Sequence, residues 1–145
     1  MMLAYDCRAA TKDVDAIFHP AAVVEPLVVQ VAQEFQLPDD WLNSGVKAFI
    51  AKREEREAFA ELRIPGLVIT RPSAKYLLAM KCMAGRLPTP FRVGDLADLK
   101  FLLHKLGIGS IEEVDAIVTE FYERRAWLAE KRWLVEQLLK EMRDE

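Results

Sequence analysis

The sequence has 145 residues, 52% of them hydrophobic, with 20 Lys and Arg, 23 Asp and Glu, and a formal net charge of −3. This length suits one domain with a real core, and the slight negative charge argues against general binding to DNA. No apolar run could span a bilayer, and Cys7 and Cys82 stand in no metal-binding or disulfide pattern. The first residues lack a signal-peptide pattern, so we expect a cytoplasmic protein with reduced thiols and no membrane association.

Residues 12–18 predict a buried strand that carries two acids on one face. Strand side chains alternate, so Asp13 and Asp15 point to the same side, about 7 Å apart along the strand. Aspartate is uncommon in strands, and two carboxylates at this spacing can hold one Mg²⁺ whose other ligands are water and phosphate. Exposure of a strand end to solvent would explain the pair equally well.

The front half of the chain alternates short extended and helical patterns. Pro20 opens a helix predicted over 21–36. Residues 39–43 predict a short helix capped by one of its two acids. Two strands, 58–63 and 66–70, are predicted to meet at a Pro-Gly turn.

The back half of the chain predicts helices only. Their predicted ranges are 74–84, 95–106, 110–122 and 124–143. Ser73 is expected to cap the first, and Ser110 with Glu113 forms a near capping box for the third. A small β-containing front half followed by an all-helical back half predicts the α+β class rather than a doubly wound fold.

Charged residues interrupt the apolar faces of two of these helices. Lys81 lies on the apolar stripe of the first, so either its stem packs while its amine stays in solvent, or its amine reaches an acidic or phosphate-containing site. Asp95 and Asp98 share the leucine-bearing face of the next helix. We expect Arg86 to form an ion pair with Asp95 or Asp98 and so to fix how the two helices cross.

The histidines and tryptophans give weaker signals. We expect His19 in an exposed loop and His104 on a helix surface, and neither belongs to a Ser/His/Asp or Cys/His arrangement. Trp41, Trp127 and Trp133 are expected to be packing anchors rather than a surface for base stacking. No glycine-rich phosphate loop is present in the sequence.

Four segments of the chain, in this order, resemble the minimal nucleotidyltransferases. They are Arg8-x-x-Thr11-Lys12-Asp13-Val14-Asp15, Leu37-Pro38-x-x-Trp41-Leu42-Asn43, Tyr76-Leu77-Leu78-Ala79-Met80-Lys81-x-x-Ala84-x-Arg86 and Asp95-Leu96-x-Asp98-Leu99. The resemblance covers about residues 1–110 and is closest to the bacterial branch that includes abortive-infection and toxin–antitoxin proteins. It implies a small mixed sheet flanked by helices in residues 1–72, with a helical part in residues 73–145 packed on it as one compact domain.

The resemblance also implies a catalytic site that binds Mg²⁺ and a nucleotide. Asp13 and Asp15 match the acids that hold the metal ion. Glu61 is the best match for a third catalytic carboxylate, with Glu57 as the alternative. The basic residues at nucleotide-binding positions are Lys12, Lys81 and Arg86. Arg86 with Asp95 and Asp98 matches the arginine-and-acid pair of the family.

One departure from the family concerns its phosphate-binding turn. The family places a strand and a Gly-Gly or Gly-Ser turn, whose amides hold phosphate, ahead of the acidic strand. This sequence starts with residues that resemble the helix after that turn, so we expect an N-terminally truncated relative, either because the reading frame begins farther upstream or because the protein is a natural truncated variant. If active, it would transfer a nucleotidyl group from a nucleoside triphosphate to protein or RNA. The alternatives are a non-catalytic relative that binds a protein partner or forms a homodimer, as in a toxin–antitoxin pair, and a helical interaction protein whose acidic pair is accidental.

Overall fold

The computed structural model describes residues 14–60, 63–84 and 94–144, which belong to two compact units. The division falls between Ile50 and Ala51, ahead of the boundary predicted at residue 72. We call residues 14–50 the N-terminal unit and the described residues from 51 onward the C-terminal unit.

The N-terminal unit is built on a parallel pair of short strands joined through a helix. Strand β1 (Val14–Asp15) pairs with β2 (Leu42–Asn43), and helix α1 (Ala21–Phe35) connects them. Parallel strands need such a crossover because the end of the first strand and the start of the second lie at opposite ends of the sheet. The helix begins after Pro20, as predicted, and ends at Gln36, which has a left-handed backbone with a φ of 53°.

The segment before and within β2 contradicts the predicted short helix. Residues 39–43 form a turn followed by the strand, and a 3₁₀ helix (Gly45–Phe49) comes next. Pairing with β1 explains the difference, because the Val14 amide donates to the carbonyl of Trp41 at 2.6 Å. The indole of Trp41 in turn donates to the carbonyl of Val28 on α1 at 3.1 Å. These long-range hydrogen bonds override a weak local preference for helix.

The C-terminal unit starts with an antiparallel hairpin. Strands β3 (Arg56–Ala58) and β4 (Thr70–Pro72) pair with each other and lie farther from the turn than the predicted strands. Nearer the turn, Ile64 and Leu67 form a single bridge. Gly66 has a φ of +79°, a left-handed conformation that glycine adopts without steric cost. The predicted Pro-Gly turn is therefore confirmed, while the predicted strand bounds are wrong.

Helices form the rest of the described C-terminal unit. They are α2 (Ala74–Ala84), α3 (Gly94–Leu106), α4 (Ile111–Phe121) and α5 (Ala129–Asp144). The α+β class and the helical C-terminal half are thus confirmed. The described strands form two separate two-stranded sheets. The last helix begins later than predicted because a short 3₁₀ turn (Arg124–Ala126) precedes it.

Both helix caps predicted in the C-terminal unit are present, whereas the cap predicted for the short helix at residues 39–43 is absent with that helix. The Ser73 hydroxyl accepts a hydrogen bond from the Tyr76 amide at 3.1 Å. The Ser110 hydroxyl accepts from the Glu113 amide at 3.3 Å, and the Glu113 carboxylate accepts from the Ser110 amide at 2.9 Å. The hydrogen bond from the Ser110 hydroxyl, followed by those from backbone amides, holds the pKa of Glu113 below its usual value. This reciprocal pattern is a complete capping box.

The core of the C-terminal unit is built around α2, which packs against the three other helices. The buried residues of α2 are Tyr76, Leu78, Ala79, Met80 and Cys82. Leucines and valines of the other helices fill the space around it, namely Leu99, Leu102, Leu103, Val114, Val118, Val135, Leu138 and Leu139. Trp127 is buried as a packing anchor, whereas Trp133 is 59% exposed, so the prediction for Trp133 is wrong. Leu128, which precedes the last helix, is also exposed.

Candidate functional site

The acidic strand places Asp15 in register with Asn43 of the neighbouring strand. Aligned residues of adjacent strands point to the same face of a sheet, so this face presents a carboxylate beside a carboxamide. Asp15 is exposed, and Asn43 is half-buried. The Asn43 Oδ1 accepts a hydrogen bond from the Gly45 amide at 2.9 Å, which fixes the carboxamide and the start of the following loop.

Gly45 keeps the space beside these two side chains open. A Cβ atom at this position would lie 3.6 Å from the Asp15 Oδ1 and 3.0 Å from the Asn43 Oδ1. A larger side chain would therefore cover part of the carboxylate. Carboxylate and amide oxygens are the hard ligands that Mg²⁺ prefers, so Asp15 and Asn43 could supply two ligands of a divalent cation.

The described residues do not by themselves complete a metal site. Within them, no group of three or more His, Cys, Asp or Glu side chains could hold a metal ion. Asp13, the second predicted metal ligand, lies outside the described part of the chain, as do Lys12, Glu61 and Arg86. Asp15 is thus the one predicted metal ligand whose position the structure describes.

Lys81 and Asp98 form an ion pair between α2 and α3. The Lys81 Nζ lies 2.8 Å from the Asp98 Oδ2, and the two side chains are 22% and 1% exposed. Asp98 therefore faces inward, as the spacing predicts, and the Lys81 amine reaches an acid rather than staying entirely in solvent. The expected pairing of Arg86 concerns residues outside the described part of the chain, as does the side chain of Asp95.

The predicted site residues divide between the two units. Asp15 belongs to the N-terminal unit, whereas Lys81 and Asp98 belong to the C-terminal unit. Glu57, the alternative third carboxylate, lies on β3 and accepts a hydrogen bond from the Arg71 Nε at 2.7 Å. That ion pair joins the two strands of the hairpin, which gives Glu57 a structural role in this unit.

The remaining chemically reactive side chains of the described residues give no catalytic arrangement. His19 and His104 are exposed, as predicted. Cys82 is buried among apolar side chains, and burial raises the pKa of its thiol to about 12. A thiol that stays protonated at neutral pH is a poor nucleophile, so Cys82 is a core residue.

Sequence reasoning missed Asn43 and Gly45 as site residues. A helix over residues 39–43 gives no reason for Asn43 to lie beside Asp15. One signal was nevertheless available, because Asn43-Ser44-Gly45 directly after Leu42 is typical of a strand that ends in a loop. Reading Leu42 and Asn43 as a strand would have made them candidates to pair with the acidic strand.

No protein-family model, no curated protein and no solved structure matches the chain. Among the helices of the described residues, none is both long enough and apolar enough to cross a membrane.

Proposed function

We propose that this chain is a nucleotidyltransferase-like protein that binds Mg²⁺ and a nucleoside triphosphate on its acidic strand. The observation that carries the proposal is the exposed Asp15 carboxylate at the end of β1, aligned with Asn43 and facing the open position at Gly45. Asp13 would supply the second carboxylate from the same strand. The resemblance of four ordered segments to the minimal nucleotidyltransferases adds support.

The chemistry that such a site would perform is transfer of a nucleotidyl group. Bound Mg²⁺ would neutralise phosphate charge and orient the nucleotide. Asp13 and Asp15 would hold the ion. A hydroxyl group of a protein or RNA would form the new bond to the α-phosphorus and lose its proton. The bond from that phosphorus to pyrophosphate would break.

The test is thermal unfolding of the full chain with Mg²⁺ and each of ATP, GTP, CTP and UTP, compared with Mg²⁺ alone. A ligand at about 100 times its Kd stabilises a protein by about 2.7 kcal/mol. For a chain of this size, that raises the Tm by roughly 8 °C. Asp15→Asn keeps the side-chain size but removes the charge, and it should abolish the shift.

The matched control is Asp39→Asn, which removes an exposed acid from the turn before β2 in the same unit. This variant should keep the full nucleotide-dependent shift. The proposal is contradicted if no nucleotide raises the Tm of the wild-type protein. It is also contradicted if Asp15→Asn responds as the wild type does.

A second candidate, partner binding without catalysis, is favoured by the tip of the β3–β4 hairpin. Val68 is 91% exposed, and Ile64 and Leu67 are also exposed. With Phe59, these residues line an open cavity of about 460 Å³. Clustered exposed apolar side chains are typical of interaction surfaces. Light scattering over a concentration range should then detect a homodimer that Val68→Ser weakens, and a monomer at every concentration would exclude self-association.

A further inference from the structure

We propose that Lys47 binds the phosphates of the nucleotide, an inference that rests on the function proposed above. Lys47 lies in the 3₁₀ helix that begins at Gly45, the residue beside the Asp15 carboxylate. Its Nζ lies 5.9 Å from the centroid of the Phe18 ring, and Phe18 follows β1 by three residues. The loop after β2 therefore carries this amine back to the chain segment that leaves the acidic strand.

Lys47 is the single Lys or Arg between residues 14 and 50, and Arg8 and Lys12 precede that stretch in the sequence. The acids of the same stretch are Asp15, Glu25, Glu34, Asp39 and Asp40. Within the described residues, the contact of the Lys47 amine is nevertheless the Phe18 ring rather than any of these carboxylates. An exposed ammonium held over an aromatic ring keeps its charge available to an anion.

A nucleoside triphosphate needs such a group. Its phosphates carry more negative charge than one divalent cation neutralises, and phosphate-binding sites commonly add a lysine as a point charge. The Lys81 amine already contacts the Asp98 carboxylate in the C-terminal unit. Lys47 is thus the lysine among residues 14–50 that can supply positive charge to phosphates bound at this unit.

Gly45 supports the same inference through the space that it leaves. Its backbone does not adopt the left-handed conformation that Gly66 and Gly107 adopt, so an alanine could take its φ without strain. A Cβ at residue 45 would nevertheless lie only 3.0 Å from the Asn43 Oδ1. The glycine is explained by the close approach of the Asn43 carboxamide rather than by backbone geometry, and a methyl group there would also contact the Asp15 Oδ1 at 3.6 Å.

The experiment measures the Kd of the full chain for Mg²⁺ with its tightest-binding nucleoside triphosphate, and separately for Mg²⁺ with inorganic tripolyphosphate. Lys47→Gln removes one charged contact to phosphate and should therefore raise both Kd values about tenfold. Lys47→Arg keeps the charge and should restore most of the affinity. Gly45→Ala should weaken binding in the same direction because its methyl group narrows the opening.

The matched control is Lys140→Gln, which removes an exposed lysine from α5 and should leave both Kd values unchanged. Unfolding of each variant without ligand checks that the fold is intact. Equal Kd values for wild type and Lys47→Gln, with binding abolished in Asp15→Asn, would overturn the role of Lys47 and leave the nucleotide site standing. A wild-type chain that binds neither probe would overturn both proposals. Weakened nucleotide binding with unchanged tripolyphosphate binding would also overturn the phosphate role.

Discussion

Replacing Lys81 by methionine tests whether the ion pair with Asp98 holds α2 against α3. Methionine keeps much of the apolar stem and removes the charge, so the buried Asp98 carboxylate loses the Lys81 cation. Removing one partner of a buried pair costs about 3–5 kcal/mol. The Asp98 side chain is 1% exposed, but Lys81 is 22% exposed, so water already screens part of the ammonium. We therefore expect the free energy of unfolding to fall by about 3 kcal/mol, the lower end of that range.

The assay is urea unfolding followed by circular dichroism, with thermal unfolding as a second measurement. A loss of about 3 kcal/mol lowers the Tm of a chain of this size by roughly 9 °C. The control is Lys75→Met on the same helix, because the Lys75 Nζ lies 3.6 Å from Glu120 in an exposed ion pair. That change should cost less than about 0.5 kcal/mol.

A double variant separates the ion pair from other effects of each substitution. Lys81→Met combined with Asp98→Leu replaces the pair by apolar side chains, which need no desolvation of charge. The double variant should lose less free energy of unfolding than the sum of the losses in the two single variants. The difference, the coupling free energy, should be about 2 kcal/mol. A loss below about 1 kcal/mol for Lys81→Met, or strictly additive losses in the double variant, would refute this reasoning.

Three further changes test the fold of the C-terminal unit. Ser110→Ala should lower the free energy of unfolding by about 1 kcal/mol in urea. Because the pKa of Glu113 is lowered in the folded state, its stabilising effect is present above the usual value of 4.5 and is lost on acidification. The wild type should therefore lose more stability than Ser110→Ala as the pH falls, and parallel pH profiles would contradict this. Leu102→Ala removes a fully buried side chain and should cost about 3 kcal/mol in the same assay, whereas a loss under about 1 kcal/mol would argue against its burial. In a Cys7→Ser background, the buried Cys82 thiol should react with a thiol reagent only after unfolding, so rapid labelling of the folded protein would disprove its burial.

The sequence by itself determined the features whose signals are local. Pro20 fixed the start of α1, and Ser73 and Ser110 fixed the starts of α2 and α4, because a cap depends on backbone groups two or three residues away. The inward position of Asp98 followed from helical spacing alone. The α+β class followed from the order of these same elements.

Only the tertiary structure decided which distant residues meet. Leu42 and Asn43 form a strand because they pair with β1 across an intervening helix, which no local pattern encodes. The partner of Lys81 likewise depends on how α2 packs against α3. The alignment of Asp15 with Asn43 beside Gly45, on which the proposed site rests, depends on that parallel pairing. The hydrogen bonds that set the register join segments separated by a whole helix, so their energy is gained only once the chain has folded.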